Sequence, residues 1–247
     1  MKYLRLARYV LLACCLAGCA QKKLLVTAPI DALYTYASST PAKTLFVFLP
    51  GIADQPETFA EEGFINALRE RNFNVDTVAV RAHFGYYREH QIVERLHQDV
   101  IAPARKQGYQ NIWLVGISLG GWGSVLYANQ HGDDIRGMLL LAPFLAEKKV
   151  FDEVQAAGGL DAWRPATLHP QDDQRLGLAW LRDYKPEESP IKVYLGYGAS
   201  DRFAYPLSLM GKRLPAQRVK VLPGGHDWPT WRRLWQDFLT NHVESLR

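Results

Sequence analysis

From residue 44 onward, short apolar runs alternate with stretches of helical periodicity, and this alternation restricts the fold more than any other feature. The runs are Thr44–Leu49 (TLFVFL), Val75–Val80, Asn111–Ile117, 136–142, 192–196 and 218–222. Several are continuously apolar, the signature of strands covered on both faces. The intervening stretches 57–71, 89–107, 120–130, 205–213 and 230–246 read as helices; the first carries the stripe Phe59, Phe64, Ile65 and Leu68. Strands alternating with crossover helices predict an α/β fold with a mostly parallel sheet and flanking helices. Residues 144–190 break the rhythm with Pro165, Pro170, Pro186, Pro190 and a Gly158-Gly159 pair. They read as a small insertion covering one edge of the sheet. At 247 residues, 48% hydrophobic and 22% charged, the chain is neither disordered, fibrous nor a polytopic membrane protein. The net charge of +4 is too small to point to nucleic acid.

Gly116-Ile117-Ser118-Leu119-Gly120 matches G-x-S-x-G between a strand and a helix, the context this motif requires. Such a turn forces Ser118 into a strained conformation and presents its hydroxyl at the carboxyl end of the strand, where open α/β sheets bind ligands. The helix N-terminus behind it favours developing negative charge. A phosphate-binding turn is excluded in detail. No G-x-x-x-x-G-K-[ST] is present, and Gly196-Tyr197-Gly198 lacks the third glycine of a dinucleotide fingerprint.

On this strand–elbow–helix the chain resembles the α/β-hydrolase superfamily, serine esterases and lipases included, over roughly residues 40–247. The resemblance implies a nucleophile, an acid and a histidine in that chain order. His226, in Leu222-Pro223-Gly224-Gly225-His226-Asp227-Trp228, stands between the last strand and the last helix. An imidazole takes and returns a proton near neutral pH. Asp201 ends the strand-to-loop run Tyr194-Leu195-Gly196-Tyr197-Gly198-Ala199-Ser200-Asp201, and a buried carboxylate there would orient the imidazole. Its rivals are Glu147 and Asp152, while Asp227 adjoins His226 too closely to face it. The resemblance further implies an oxyanion hole made by the backbone N–H of Leu119 and one from the loop 49–54, for which Ile52 is the candidate. Many relatives have His-Gly where this chain has Pro50-Gly51. Asp54 reads as a turn or cap residue.

Within the insertion, Trp163, Leu176, Leu178, Trp180, Leu181 and Tyr184 are either cap packing or a wall of the acyl and leaving-group sites. Tyr86, Tyr87 and Trp122 are equally open, and His83, just past a strand end, is a candidate for the pocket rim. His90 and His97 share a helix face but stand about 10 Å apart along its axis, too far to share a metal without other ligands. His131, His169 and His242 carry no signal.

The N-terminus reads as an address. Lys2, Arg5 and Arg8 precede an apolar stretch from Tyr9 to Gly18, shorter than the roughly 20 residues that span a bilayer but suited to a signal peptide. Leu16-Ala17-Gly18-Cys19 resembles a bacterial lipobox, which implies cleavage before Cys19 and lipidation of its thiol; Leu11-Leu12-Ala13-Cys14 is a weaker match with too short an apolar run. The expected organisation is a signal peptide over 1–18, a lipidated N-terminus and tether over 19–40, and a hydrolase domain over 41–247. By resemblance to Gram-negative lipoproteins, Ala20 rather than Asp after Cys19 implies the outer membrane where the envelope is Gram-negative. Removing Lys2, Arg5 and Arg8 takes the net charge from +4 to +1, and since all three cysteines lie at 14, 15 and 19, the mature fold would hold no disulfide.

The expected activity is cleavage of a small-molecule carboxylic ester through Ser118, His226 and Asp201 by way of an acyl-enzyme. Thioesterase, acyltransferase or peptidase activity would use the same triad. A lipid-anchored binding protein without catalysis is the reading from another class. No metal, organic cofactor or nucleic-acid partner is implied, and a membrane is reached through the N-terminal anchor.

Overall fold

The computed structural model describes residues 25–38 and 42–242. The expected signal peptide and Cys19 lie outside the described residues. Seven strands form one sheet: β1 (Ala32–Thr35), β2 (Thr44–Leu49), β3 (Val75–Val80), β4 (Asn111–Ile117), β5 (Gly137–Leu141), β6 (Lys192–Gly198) and β7 (Val219–Leu222). Their spatial order is β1-β3-β2-β4-β5-β6-β7. All neighbours run parallel except β1, which pairs antiparallel with β3 from Ala32↔Val80 to Thr35↔Thr77. The mostly parallel sheet expected from the alternating runs is therefore present. β2, β3 and β5 are buried throughout, and β4 and β6 are buried beyond their first residue, which is why their sequences read as continuous apolar runs.

The helices are α1 (Thr58–Glu61), α2 (Phe64–Glu70), α3 (Phe84–Arg88), α4 (Ile92–Leu96), α5 (Ala102–Lys106), α6 (Leu119–His131), α7 (Lys148–Ala156), α8 (Asp173–Asp183), α9 (Ala204–Gly211) and α10 (Trp228–Asn241). α2 and α10 cover one face of the sheet. There Trp235 meets Phe46 and Phe48 edge-on and stacks on Phe64 with ring centroids 5.3 Å apart. α6 lies against β2, β4 and β5 on the other side, in contact with α4 and α8. It is buried from Leu119 to Ala128.

The structure departs from the sequence reading in four places. The single helix expected over 57–71 is two, because Gly63 at φ 79° ends α1 and opens α2. The helix expected over 89–107 begins only at Ile92, after His90 at φ 53°, and is preceded by the separate turn α3. Between α4 and α5 a π-helical turn spans His97–Ile101. Pro103 follows it, and the widened turn accommodates a ring that would crowd the carbonyl four residues back. Finally, residues 32–35, inside the expected tether, form β1; the preceding Ile30 is buried and donates its N–H to Asp99 at 2.8 Å.

Candidate active site

β4 delivers Ser118 at its carboxyl end, and α6 begins on the next residue. The Ser118 backbone stands at φ 50°, ψ −112°, a conformation that costs an L-residue about 1–3 kcal/mol. Close packing enforces it. A Cβ on Gly116 would lie 2.4 Å from the Gly120 carbonyl oxygen, and one on Gly120 would lie 2.0 Å from that of Leu49. The two glycines of the motif are thus steric requirements of the elbow. Main-chain bonds hold it: Ser118 N–H donates to Leu141 at 3.0 Å, and the Ser118 carbonyl accepts from Phe144 at 2.9 Å and Trp122 at 3.2 Å.

His226 and Asp201 arrive on two loops at the same edge of the sheet. Ala199 N–H donates to Leu222 at 2.8 Å and Ser200 N–H to Gly224 at 2.9 Å, so the two loops are tied to each other by main chain. Ser118 Oγ is 3.0 Å from His226 Nε2, and His226 Nδ1 is 2.8 Å from Asp201 Oδ2. The other Asp201 oxygen accepts the Phe203 N–H at 2.8 Å. The Asp201 carboxyl group has no exposed surface, and the His226 side chain is 10% exposed. The rings of Phe203 and Trp231 stand edge-on to the imidazole at 5.2 and 5.1 Å. A hydrogen-bonded carboxylate–imidazole–hydroxyl chain is thereby formed, with geometry suited to removing a proton from Ser118.

The sequence rivals for the acid lie elsewhere. Glu147 precedes α7 and pairs with Lys149 at 3.3 Å, and Asp152 pairs with Lys148 at 2.7 Å. Asp227 caps α10 by accepting the Thr230 N–H at 2.9 Å. Hydrogen bonds from the Thr230 side chain and then its backbone hold the Asp227 carboxyl below the usual carboxylate range.

Ile52 occupies a turn closed by Asp54 N–H donating to Gly51 at 3.2 Å. Gly51 lies directly against Ser118, 3.8 Å from its Cβ at the position of an added methyl group. Among the described residues, the N–H groups of Ile52 and Leu119 have no hydrogen-bond acceptor. Asp54 does more than shape the turn: its carboxylate accepts the Trp228 indole N–H at 3.1 Å. A cleft of about 460 Å³ lies over Ser118 and His226, walled by Ile52, Asp54, Arg202 and Trp228. A second cleft of about 530 Å³ lies beyond Leu119, walled by Phe84, Tyr87, Trp122, Phe144 and His169.

The cap aromatics do not line either cleft. Trp163, Leu178, Leu181 and Tyr184 are buried, Trp180 stacks on Tyr184, and Gly177 of α8 rests against the Trp122 ring. The open choice for these residues resolves as packing, with Trp122 and Tyr87 as pocket wall. Tyr86 is buried, its hydroxyl 2.8 Å from Thr27 Oγ1. His83 caps α3 by accepting the Gly85 N–H. His169, without signal in the sequence, lines the second cleft; Arg202, Asp54 and Trp228 were likewise missed as cleft residues. Only Trp228, two residues after His226, had a signal that could have marked it.

One cluster among the described residues could ligate a cation: His97, His131 and Asp134, whose ligand atoms lie within 4.8 Å of one another. The His97 and His131 rings stack at 4.1 Å. His90 is no part of it and pairs with Asp173 at 2.8 Å. The cluster stands at the far end of α6, about 20 Å along the helix from Ser118, and takes no part in the chemistry there.

A serine elbow at the carboxyl edge of a largely parallel sheet, with an acid and a histidine on later loops, defines a class of α/β enzymes. The chain belongs to the alpha/beta hydrolase family, whose family model matches residues 46–240. Among solved structures it is similar to Est1E from Butyrivibrio proteoclasticus, at 18% identity and a TM-score of 0.59, covering 87% of this chain and 95% of that one. It is also similar to a monoacylglycerol lipase from Paleococcus ferrophilus, at 15% identity and a TM-score of 0.57 over 86% and 99% of the two chains. The S-formylglutathione hydrolase FrmB of Staphylococcus aureus shares 14% identity at a TM-score of 0.56 over 90% and 100%. At these identities the likeness is one of fold. No curated protein matched by sequence.

Proposed function

We propose that this chain is a serine hydrolase of carboxylic esters, exported and anchored in a bacterial envelope membrane by lipid on Cys19. The observation that supports the reading most strongly is the chain of contacts from Ser118 Oγ through His226 to buried Asp201, at 3.0 and 2.8 Å. Neighbours of the same fold named as lipase and hydrolase agree with it. Ser118 attacks the ester carbonyl while His226 accepts its proton through Nε2. Asp201 holds the imidazole in the tautomer with the proton on Nδ1 and stabilises the imidazolium. The Ile52 and Leu119 N–H groups receive the tetrahedral oxyanion, where the loss of one donor costs about 3–4 kcal/mol. His226 then protonates the departing alkoxide, and the same base activates the water that releases the acid.

The test is covalent labelling with a fluorophosphonate together with an ester chain-length panel. The wild type is expected to label once, and Ser118→Ala to lose both label and turnover. Equal labelling of the two proteins would overturn the proposal. Mass analysis of products in the same panel separates hydrolysis from transfer to another acceptor.

A further inference from the structure

The first described residues are fastened at the edge of the sheet where the cleft opens. The Leu25 carbonyl is 3.2 Å from His83 Nε2, Thr27 bonds to the Tyr86 hydroxyl through both its N–H and its Oγ1, and β1 then starts opposite Val80, the carboxyl end of β3. His83 and Tyr86 follow β3 directly, and Tyr87 beside them walls the cleft next to Leu119. Whatever precedes Leu25 therefore leaves the domain beside the second cleft, next to Leu119.

Exposed apolar side chains stand among charged ones there, since Arg88, Glu147, Lys149, Asp172, Asp173 and Arg175 also line the second cleft. Ile52 follows β2, Phe84 follows β3, Tyr205 opens α9 just past Asp201, and Leu168 belongs to the cap insertion beside His169. Ile52 and Tyr205 are 57% and 58% exposed, and Leu25 is 69% exposed. The remaining large exposed apolar side chains among the described residues lie along edge strands, at Leu33, Tyr34 and Tyr36 in and after β1 and at Val221 in β7. Apolar side chains collected around a pocket mouth mark an interaction surface rather than scattered exposure.

Chain length limits what can meet that surface. Cys19 stands six positions before Leu25, with five residues between them, a reach of at most about 20 Å. A folded chain of this length has a radius of gyration of about 17 Å, so the tether is shorter than the molecule is wide. With lipid on Cys19, the edge carrying Ser118 stays next to the bilayer and the opposite edge is kept away. The exposed Arg202 at the mouth adds a cation suited to anionic headgroups.

We propose that the mouth of the Ser118 cleft rests on the membrane that carries the anchor, and that the substrate is an amphiphilic ester taken from that surface. This rests on the reading of Cys19 as a lipidation site. The test uses the full-length processed protein in vesicles of phosphatidylethanolamine and phosphatidylglycerol. Phe84→Cys, Tyr205→Cys and Gln110→Cys place a thiol at the mouth twice and, before β4, at the opposite edge once. Each is labelled with a small fluorophore against an acyl-chain nitroxide quencher. Strong quenching at 84 and 205 with little at 110 is the expected result. Equal quenching at all three positions in protein that floats with the vesicles would overturn the orientation and leave the anchor standing. Protein that does not float removes the anchor and the orientation with it. Leu168→Glu with Tyr205→Glu should slow hydrolysis of a vesicle-embedded ester severalfold and leave a short water-soluble ester unaffected. An equal loss on both substrates, or on neither, would overturn the membrane source, while an absence of turnover in the wild type tells against the hydrolase reading alone.

Discussion

Asp201 bonds to the His226 imidazole and Asp227 follows His226 in the chain, and their surroundings give them different work. Asp201 is buried and spends one oxygen on His226 and the other on the Phe203 N–H. Asp227 turns away to cap α10. Asp201→Asn is expected to lower kcat by about 10⁴-fold, since the amide favours the wrong tautomer; steady-state kinetics on a soluble ester measures it. Asp227→Ala is expected to cost about 1 kcal/mol of stability, the ordinary value of an N-cap. The pH dependence of that loss follows from the lowered carboxyl pKa. A carboxyl depressed in the folded state stabilises above its unfolded value of about 3.9 and ceases to do so as pH falls through the lower folded value. Denaturation curves of the two proteins should therefore differ near neutrality and converge in strong acid.

Between β4 and α6 the local geometry is set by what two glycines leave out. Gly120→Ala would drive a methyl group into the Leu49 carbonyl at 2.0 Å, displacing the loop that presents Ile52. The expected outcome is loss of fluorophosphonate labelling together with a lower melting temperature, read on the same preparation. This elbow was legible in the sequence because a continuous apolar strand, a glycine-flanked serine and a helix follow one another directly. Asp201 and His226 were legible through the family resemblance, which implies an acid and then a histidine on loops just past late strands. Other features left no local mark. Gly63 and His90 break helices by adopting positive φ, which composition does not announce. β1 shows a largely exposed pattern and spans four residues, so it lacks the long apolar run of the inner strands and read as part of the tether. The cleft walls Asp54, Arg202 and Trp228 meet only when three separate loops converge, and the His97–His131 pair needs two helices brought side by side.

The molecule as a whole is held by an aromatic seam in which β2, α2 and α10 meet. Trp235 touches Phe46, Phe48 and Phe64 there, and its indole N–H donates to the Phe64 carbonyl at 3.0 Å. Trp235→Ala should cost about 3–5 kcal/mol, a fall in melting temperature of roughly 10 °C for a chain of this size, measured by calorimetry. Because α10 follows the His226 loop, activity is expected to fail below the main transition in that variant. The antiparallel pairing of β1 has a consequence of another kind. Tension applied through the N-terminus meets the bonds of Leu25, Thr27 and Ile30 to His83, Tyr86 and Asp99 before it reaches β1 at Ala32, the end paired with Val80. Because β1 pairs only with β3 at the edge of the sheet, the parallel strands β2–β7 keep all of their own pairings if that segment is pulled away.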